Sequence, residues 1–250
     1  MNNSGIPRRT TLLAAAGVTA AASLTTTGLL ASPAAAAGPQ PVRNDALKEA
    51  LRRARARHRR LRTGRPSANG WEMQNAVDAD GAVVTCPVPG TGRTVRLRMG
   101  DTQTVLVHVI RRFHYEVDAL GAGTGPGALE GWTAPSAVRD ARRPESNLAS
   151  GTAVVIRPGS YPAGVRDGFT AAQVLTLRDI LADTEGVVRW GGDDRHPYEG
   201  LFYLDVPPDD ARLGRVAAKI RSWNEVPGAG AGVVPDVTEP ARRRRAERYR

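Results

Sequence analysis

The sequence has a single cysteine, Cys86, and lysine occurs only twice against 33 arginines. One cysteine excludes an intramolecular disulfide framework and a cysteine-based zinc ribbon. We interpret Cys86, which lies between Thr85 and Pro87, as a small buried apolar residue, with a reactive thiol as the alternative. Histidine is also scarce, and any histidine-based metal or acid–base site must be built from His58, His108, His114 and His196. Beyond the N-terminal region, no segment approaches the 18 or more apolar residues that a membrane span requires.

The overall amino-acid composition is typical of one globular domain with many loops. The 250 residues are 41% hydrophobic, which excludes a wholly disordered chain and is enough for one well-packed domain or two small ones. Glycine and proline together account for 45 residues, while aromatic residues make up only 5%. We therefore expect short elements joined by irregular segments.

The first 37 residues contain no acidic side chain and resemble an export signal. Arg8 and Arg9 precede a mildly apolar stretch, and the run 34–37 consists of four alanines, which suits a signal peptidase. The arginine pair before a weak apolar core predicts a twin-arginine signal, with an ordinary secretory signal or a membrane anchor as the alternatives. We expect the mature protein to be extracellular or associated with the cell wall.

Positive charge is concentrated at the two ends of the mature chain. Residues 43–65 carry ten basic and two acidic side chains, and residues 226–250 carry six and three. In the first arm, 38–69, Leu47, Leu51 and Leu61 belong to an apolar helical stripe. The glycine-rich tail, 225–250, lacks a core-forming pattern and is expected to be disordered. Such arms suit anionic wall polymers, and we do not favour nucleic acid as a partner of an exported protein.

The body between the arms predicts one α+β domain. Val95, Leu97 and Met99 alternate with arginines, as in a half-buried strand. An apolar stripe predicts a helix from Asp101 to about Leu120, and a capping box at Thr170 predicts a second helix that ends at Gly186. Short strands at 187–190 and 201–206 precede a helix over 209–223. We expect a small, mostly antiparallel central sheet with helices on one side and an open cleft.

Two segments of this body contain the residues that suggest a function. The first runs from Ser146 to Val155 and contains Gly151 and Ala153 at fixed spacing. The second begins with Trp190-Gly191-Gly192-Asp193 and continues to Phe202. Together they resemble the zinc D-alanyl-D-alanine carboxypeptidases and dipeptidases that trim bacterial peptidoglycan. The resemblance covers about residues 70–224 and implies the fold of that family.

The positions at which this sequence differs from the family are those that would bind zinc or take part in catalysis. The resemblance places the family's three zinc ligands, two histidines and an aspartate, at Leu148, Leu201 and Val155. It places the catalytic carboxylate at Tyr198. Leucine and valine side chains have no lone pair to offer zinc, so we predict no metal, no cofactor and no catalytic residue. The family's substrate-binding arginine is replaced by Thr133, with Arg139 as a candidate substitute.

We therefore interpret the chain as an exported, catalytically degenerate relative that binds peptidoglycan stem peptides or another wall partner through the former cleft, as a monomer. The candidate cleft residues are Arg139, Ser146, Trp190, Asp193, Asp194, His196, Tyr198, Glu199 and Tyr203. One alternative is an active D-Ala-D-Ala carboxypeptidase with non-standard ligands. A second is a module that binds anionic wall polymer through its basic arms.

The interpretation makes a geometric prediction. Ligands of one zinc ion converge, so Leu148, Val155 and Leu201 should form one apolar cluster although they are far apart in sequence. Tyr198 should stand at its rim with the ring on the cluster and the hydroxyl toward solvent. If the alignment is mistaken, the three residues have no reason to meet.

Overall fold

The computed structural model describes residues 44–121 and 127–249. The expected export signal, 1–37, lies outside these ranges. The described helices are α1 (Asp45–Leu61), α2 (Asp101–Glu116), α3 (Ala171–Asp183), α4 (Ala211–Glu225) and α5 (Pro240–Glu247). The described strands are β1 (Arg62–Pro66), β2 (Glu72–Gln74), β3 (Val83–Val88), β4 (Arg93–Arg98), β5 (Leu129–Glu130), β6 (Ala153–Ile156), β7 (Val188–Trp190) and β8 (Leu201–Leu204). Within those ranges, no helix combines the length and apolar character that a bilayer crossing needs.

All strand pairs in the described ranges are antiparallel. The central sheet has four strands in the order β5-β6-β8-β7, and two hairpins, β1-β2 and β3-β4, accompany it. This architecture confirms the predicted α+β class with a small antiparallel sheet.

Local sequence signals account for the helices and strands around the sheet. Val95 and Leu97 are buried in β4 while the alternating arginines face outward or lie half-buried. Helix α2 buries Leu106, Ile110 and Phe113 of its predicted stripe, but it ends at Glu116, before the predicted end near Leu120. Helix α3 begins at the predicted capping box, in which the Thr170 side chain accepts a hydrogen bond from the Gln173 backbone N–H.

The main hydrophobic core lies between the central sheet and the helices. On the sheet it contains Val154, Ile156, Phe202 and Leu204, which share one face because side chains alternate along a strand. Helices α2, α3 and α4 cover this face with residues such as Phe113, Leu177 and Ile220. The other face of β6 and β8 carries a separate apolar cluster.

The basic arm is only partly separate from the domain. Helix α1 forms as predicted, but Leu47 is 66% exposed and Leu51 is 47% exposed, so most of its apolar stripe faces solvent. Strand β1 pairs with β2, and the Asn69 side chain donates a hydrogen bond of 2.9 Å to the Leu204 carbonyl. The boundary predicted at residue 70 is therefore too late, because the chain joins the domain at β1.

The tail also differs from its prediction. Residues 240–247 form helix α5, which packs on α3 and buries Ala246. The Arg242 side chain donates to Asp179 at 2.6 Å, and Arg245 donates to Asp183 at 2.6 Å. The expectation of disorder over 225–250 is wrong because two arginines of the tail pair with carboxylates that α3 holds in the interior.

Candidate functional site

The two motif segments fold into neighbouring strands of the central sheet. A 3₁₀ helix over Pro144–Leu148 leads into β6, and β6 pairs with β8 so that Val155 stands opposite Leu201. On the other side of β6, Glu130 of strand β5 also stands opposite Val155. Residues opposite one another in an antiparallel pair project to the same side. Glu130, Val155 and Leu201 therefore form one row across three strands, on the face away from the helices.

Four buried residues on this face, Ala153, Val155, Leu201 and Tyr203, make a compact cluster, and Leu148 and Tyr198 pack against it. We refer to these six residues as the open-face cluster. It brings together the three positions that the resemblance assigns to zinc ligands, together with the position assigned to the catalytic carboxylate. Residues separated by 53 positions in sequence, Leu148 and Leu201, meet because β6 and β8 are adjacent.

Tyr198 stands at the edge of this cluster, half-buried, and its hydroxyl makes no hydrogen bond to a described residue. Burial, together with the nearby carboxylates Glu130 and Glu145, raises the pKa of Tyr198 to about 12. The phenol is therefore protonated at neutral pH. It can donate a hydrogen bond to a ligand, but it cannot act as the general base that a carboxylate supplies.

Tyr203 and Asp194 close the cluster on its other side. The Tyr203 hydroxyl lies 3.0 Å from each carboxylate oxygen of Asp194, and the Arg189 Nε lies 3.3 Å from Asp194 Oδ1. Burial raises the pKa of Asp194, while Tyr203 and Arg189 act in the opposite direction. Burial also raises the pKa of Tyr203, and the Asp194 charge adds to it. Tyr203, a member of the open-face cluster, thus bonds to a second candidate cleft residue, Asp194.

Other candidate cleft residues hold the fold instead. Trp190 projects into the main core beside Phe202, and its indole N–H donates 2.6 Å to the Glu199 carbonyl. Asp193 forms a two-point ion pair with Arg178 of α3. Trp190 faces the helices because β7 pairs with β8 in a register that puts it opposite Phe202. Asp193, which follows β7, is exposed and is joined to α3 by its ion pair with Arg178.

Glu199 and Ser146 are buried and position loops. The Glu199 carboxylate accepts hydrogen bonds from the backbone N–H groups of Asp167 (2.9 Å) and Gly168 (2.8 Å). Ser146 accepts from the Ala68 N–H and donates to the Ala141 carbonyl, both at 2.9 Å. His196, in contrast, is exposed on the turn between the two parts of its motif.

A hollow of about 330 Å³ opens beside the open-face cluster and shares Leu148 with it. Its lining consists of Thr133, Ala137, Val138, Arg139, Asp140, Arg143, Glu145, Ser146 and Leu148. Arg139, the candidate substitute for the family's substrate-binding arginine, is exposed at this hollow. The lining mixes apolar walls with charges of both signs, as peptide-binding surfaces do.

The residues at the centre of this site do not fit zinc. Leu148, Val155 and Leu201 offer no nitrogen, oxygen or sulfur donor. Within residues 44–121 and 127–249, no three His, Cys, Asp or Glu side chains are grouped closely enough to hold a metal ion. These three side chains therefore cannot act as ligands of a zinc ion.

Sequence reasoning missed the two carboxylates that influence Tyr198. Glu145 directly precedes the first motif and could have been included on position alone. Glu130 lies in the two-residue strand β5, which has no detectable periodicity, so its place in the row with Val155 depends on tertiary pairing.

Comparison of the chain with protein-family models, with curated proteins and with solved structures finds no significant match.

Proposed function

We propose that this protein is an exported, non-catalytic relative of the zinc D-alanyl-D-alanine carboxypeptidases. It binds peptidoglycan stem peptides, or another peptide of the cell wall, at the open-face cluster and the adjoining hollow. The observation that carries the proposal is the contact of Leu148, Val155, Leu201 and Tyr198 in one cluster. These are the four positions that the resemblance assigns to ligands and base, and a misaligned motif gives no reason for them to meet.

The chemistry of the site supports binding without hydrolysis. A water molecule in this apolar cluster would keep a pKa near its bulk value, because Leu148, Val155 and Leu201 offer no donor that could hold a metal ion and so lower it toward 7. The protonated Tyr198 and the exposed Arg139 supply donors for a peptide carbonyl or carboxylate, and Leu148 supplies an apolar contact. We expect purified mature protein to retain no stoichiometric zinc after dialysis and to release no D-alanine from a pentapeptide stem.

The alignment is tested by restoring the donors. In the triple variant Leu148→His, Val155→Asp, Leu201→His, three ligands should converge on one metal ion if the positions correspond. We expect about one zinc per chain by elemental analysis and a tetrahedral absorption spectrum with Co²⁺. The double variant Val155→Asp, Leu201→His is the matched control and should lose its metal on dialysis. A triple variant that is folded in the presence of zinc, yet retains no more metal than the double variant, would contradict the alignment.

Binding is tested separately with the unmodified protein. A stem peptide ending in D-Ala-D-Ala is titrated into isotope-labelled protein, with the L-Ala-L-Ala peptide as control. We expect saturable NMR shifts at Leu148, Tyr198 and Arg139 with the D-peptide only. Absence of shifts at these residues, at peptide concentrations that saturate binding elsewhere, would exclude the cleft as the binding site.

The exposed stripe and positive charge of α1 support a second candidate, attachment to anionic wall polymer. Seven basic and two acidic residues occupy this helix, and all of the basic side chains are exposed. Such attachment should weaken steeply with salt, because screening shortens to about 8 Å at physiological ionic strength. Binding to isolated walls that is insensitive to salt, or to deletion of residues 43–61, would exclude this role.

A further inference from the structure

We propose that helix α1 lies flat on the surface of an anionic phospholipid bilayer and attaches the domain to a membrane. The helix joins the domain near its C-terminal end, where Leu61 is buried and its carbonyl accepts a hydrogen bond of 2.8 Å from the Asn75 N–H. From Asp45 to Arg60 every residue is exposed, apart from Glu49 and Ala56, which are half-buried. This surface shares no residue with the open-face cluster, so the inference does not rest on the proposed peptide site.

The first observation is the apolar stripe along α1. Leu47 is 66% exposed and Leu51 is 47% exposed, although both lie on the same side of the helix as the buried Leu61. At 3.6 residues per turn, these leucines together with Ala50 and Ala54 fall within roughly 100° of one another. A surface helix normally packs such a stripe against the core. In α1 the N-terminal part of the stripe faces solvent instead, and it is available to an apolar phase.

The second observation is the position of the charges around this stripe. The same helical geometry places the basic residues on both flanks of the stripe, with four on one side and three on the other. The first flank holds Lys48, Arg52, Arg55 and Arg59, and the second holds Arg53, Arg57 and Arg60. The two acidic residues, Asp45 and Glu49, lie on the opposite side of the helix from the stripe. Long basic side chains in such positions reach lipid phosphates while the leucines between them enter the acyl region.

The third observation is that the cations of α1 are only weakly held by the protein. Glu49 pairs with Arg52 and Arg53 of the same helix, and the Arg57 Nε lies 3.4 Å from Asp80 Oδ2. All of these side chains are at least 36% exposed. Exposed ion pairs contribute little to stability, so the guanidinium groups can exchange these carboxylates for lipid phosphates at small cost.

The leucines distinguish a bilayer from the wall polymer considered above as a partner of α1. A polyanion dissolved in water binds the arginines but leaves Leu47 and Leu51 in contact with water. A bilayer surface offers phosphates to the arginines and an apolar phase to the leucines. The helix has 17 residues, about 25 Å, and most of its surface is charged, so it lies in the interface and does not cross the bilayer.

The test uses the expected mature chain, residues 38–250, and sedimentation with sucrose-loaded vesicles. One set of vesicles contains phosphatidylglycerol and phosphatidylcholine in equal amounts, and the other contains phosphatidylcholine alone. We expect saturable binding that is at least roughly tenfold tighter with the anionic vesicles. A spin label in the lipid acyl chains should broaden the methyl signals of Leu47 and Leu51 but not those of Val233 and Val234 in the tail. Absence of binding to anionic vesicles, or binding without broadening at the two leucines, would overturn the proposal.

A pair of double variants separates insertion of the stripe from attraction by charge. Leu47→Ala, Leu51→Ala keeps every charge, and alanine is the best helix former, so circular dichroism should show an unchanged helix content. We expect its affinity for anionic vesicles to fall at least roughly tenfold, while its affinity for long-chain polyphosphate, a soluble polyanion, stays the same.

The matched control is Val233→Ala, Val234→Ala, which removes apolar groups that are 49% and 67% exposed outside α1. It should bind both vesicles and polyphosphate as the unmodified protein does. If the leucine variant keeps its full affinity for anionic vesicles, α1 attaches by charge alone and the proposal is overturned. Neither result changes the titration with the D-Ala-D-Ala peptide, so failure here is distinguishable from failure of the peptide site.

Discussion

The buried arginine at the centre of the helical layer offers a sharp test of the fold. Arg112 is 3% exposed and donates to Glu116 at 2.7 Å, to Asp179 at 2.9 Å and to Asp183 at 2.6 Å. The side chains of Asp179 and Glu116 are each 1% exposed, and that of Asp183 is 9% exposed. Replacing Arg112 with methionine keeps an unbranched apolar stem but removes the guanidinium group, which leaves buried carboxylates short of a counter-ion.

The expected loss is large because the pairs are buried. Removing one partner of a buried ion pair costs about 3–5 kcal/mol. With a urea dependence of about 2 kcal/mol per molar for a domain of this size, the unfolding midpoint of Arg112→Met should fall by about 2 M. The matched control is Arg221→Met, whose partner is Asp101. Those two side chains are 49% and 40% exposed, so this change should cost at most about 1 kcal/mol.

Tryptophan fluorescence during urea unfolding measures both variants, with circular dichroism as a second probe of two-state behaviour. The double variant Arg112→Met, Asp183→Asn should recover part of the lost stability, because it removes one of the stranded charges. If Arg112→Met unfolds within about 1 kcal/mol of the unmodified protein, the carboxylates are not desolvated and the reasoning fails.

Three further predictions concern the same layer and the thiol. Deleting residues 236–250 should lower the free energy of unfolding and speed amide exchange in α3, since Arg242 and Arg245 no longer neutralise Asp179 and Asp183; unchanged exchange in α3 would show that the tail is not bound there. Burial lowers the pKa of His108, while in the unfolded chain a histidine takes up its proton near pH 6.5. The unfolded state then binds more protons, so stability should fall as the pH drops below about 6.5, and His108→Gln should flatten that part of the curve. Burial raises the pKa of Cys86 to about 11, so a thiol reagent at pH 8 should label the unfolded protein and leave the native one unlabelled.

The elements that the sequence predicted well are those with a local signal. The capping box at Thr170 and the alternation through Val95 and Leu97 each specify their element without help from distant residues. Residues buried by these patterns, such as Phe113 and Ile220, lie in the main core. Periodicity succeeds here because one face of each element is apolar and the opposite face is not.

The elements that escaped prediction depend on partners far away in sequence. The apolar side chains of helix α5 are only one proline and two alanines, and the helix packs on α3 because Arg242 and Arg245, three residues apart, face Asp179 and Asp183, four residues apart on α3. Nothing in the sequence of either helix predicts that the two helices pair. Strand β5 is likewise too short to show a period and exists through its pairing with β6.

In the candidate site, too, some features could be predicted from the sequence and others depend on tertiary pairing. The motif positions that should converge do so, because Val155 and Leu201 are paired across adjacent strands and Leu148 precedes β6. The orientation of individual motif residues was harder to predict. Trp190 belongs to the main core because the register of β7 against β8 places it opposite Phe202.

The matching and departing residues of the two motifs have different physical roles. Gly151 has φ of +71°, and a Cβ there would lie 2.7 Å from the Arg98 backbone nitrogen. At Gly191, a Cβ would lie 2.6 Å from the Tyr198 carbonyl oxygen, and Asp193 ties its turn to Arg178 of α3. The matching residues are thus ones on which the backbone path depends.

Leu148 and Leu201, in contrast, contribute only side-chain contacts to the open-face cluster. In the function proposed above, a chain that no longer holds zinc can exchange polar ligands for apolar side chains at such positions, where an unpaired histidine or aspartate would be costly to bury. On the same proposal it cannot exchange the glycines without rebuilding the loops, so the motifs would keep their backbone path while losing their donors.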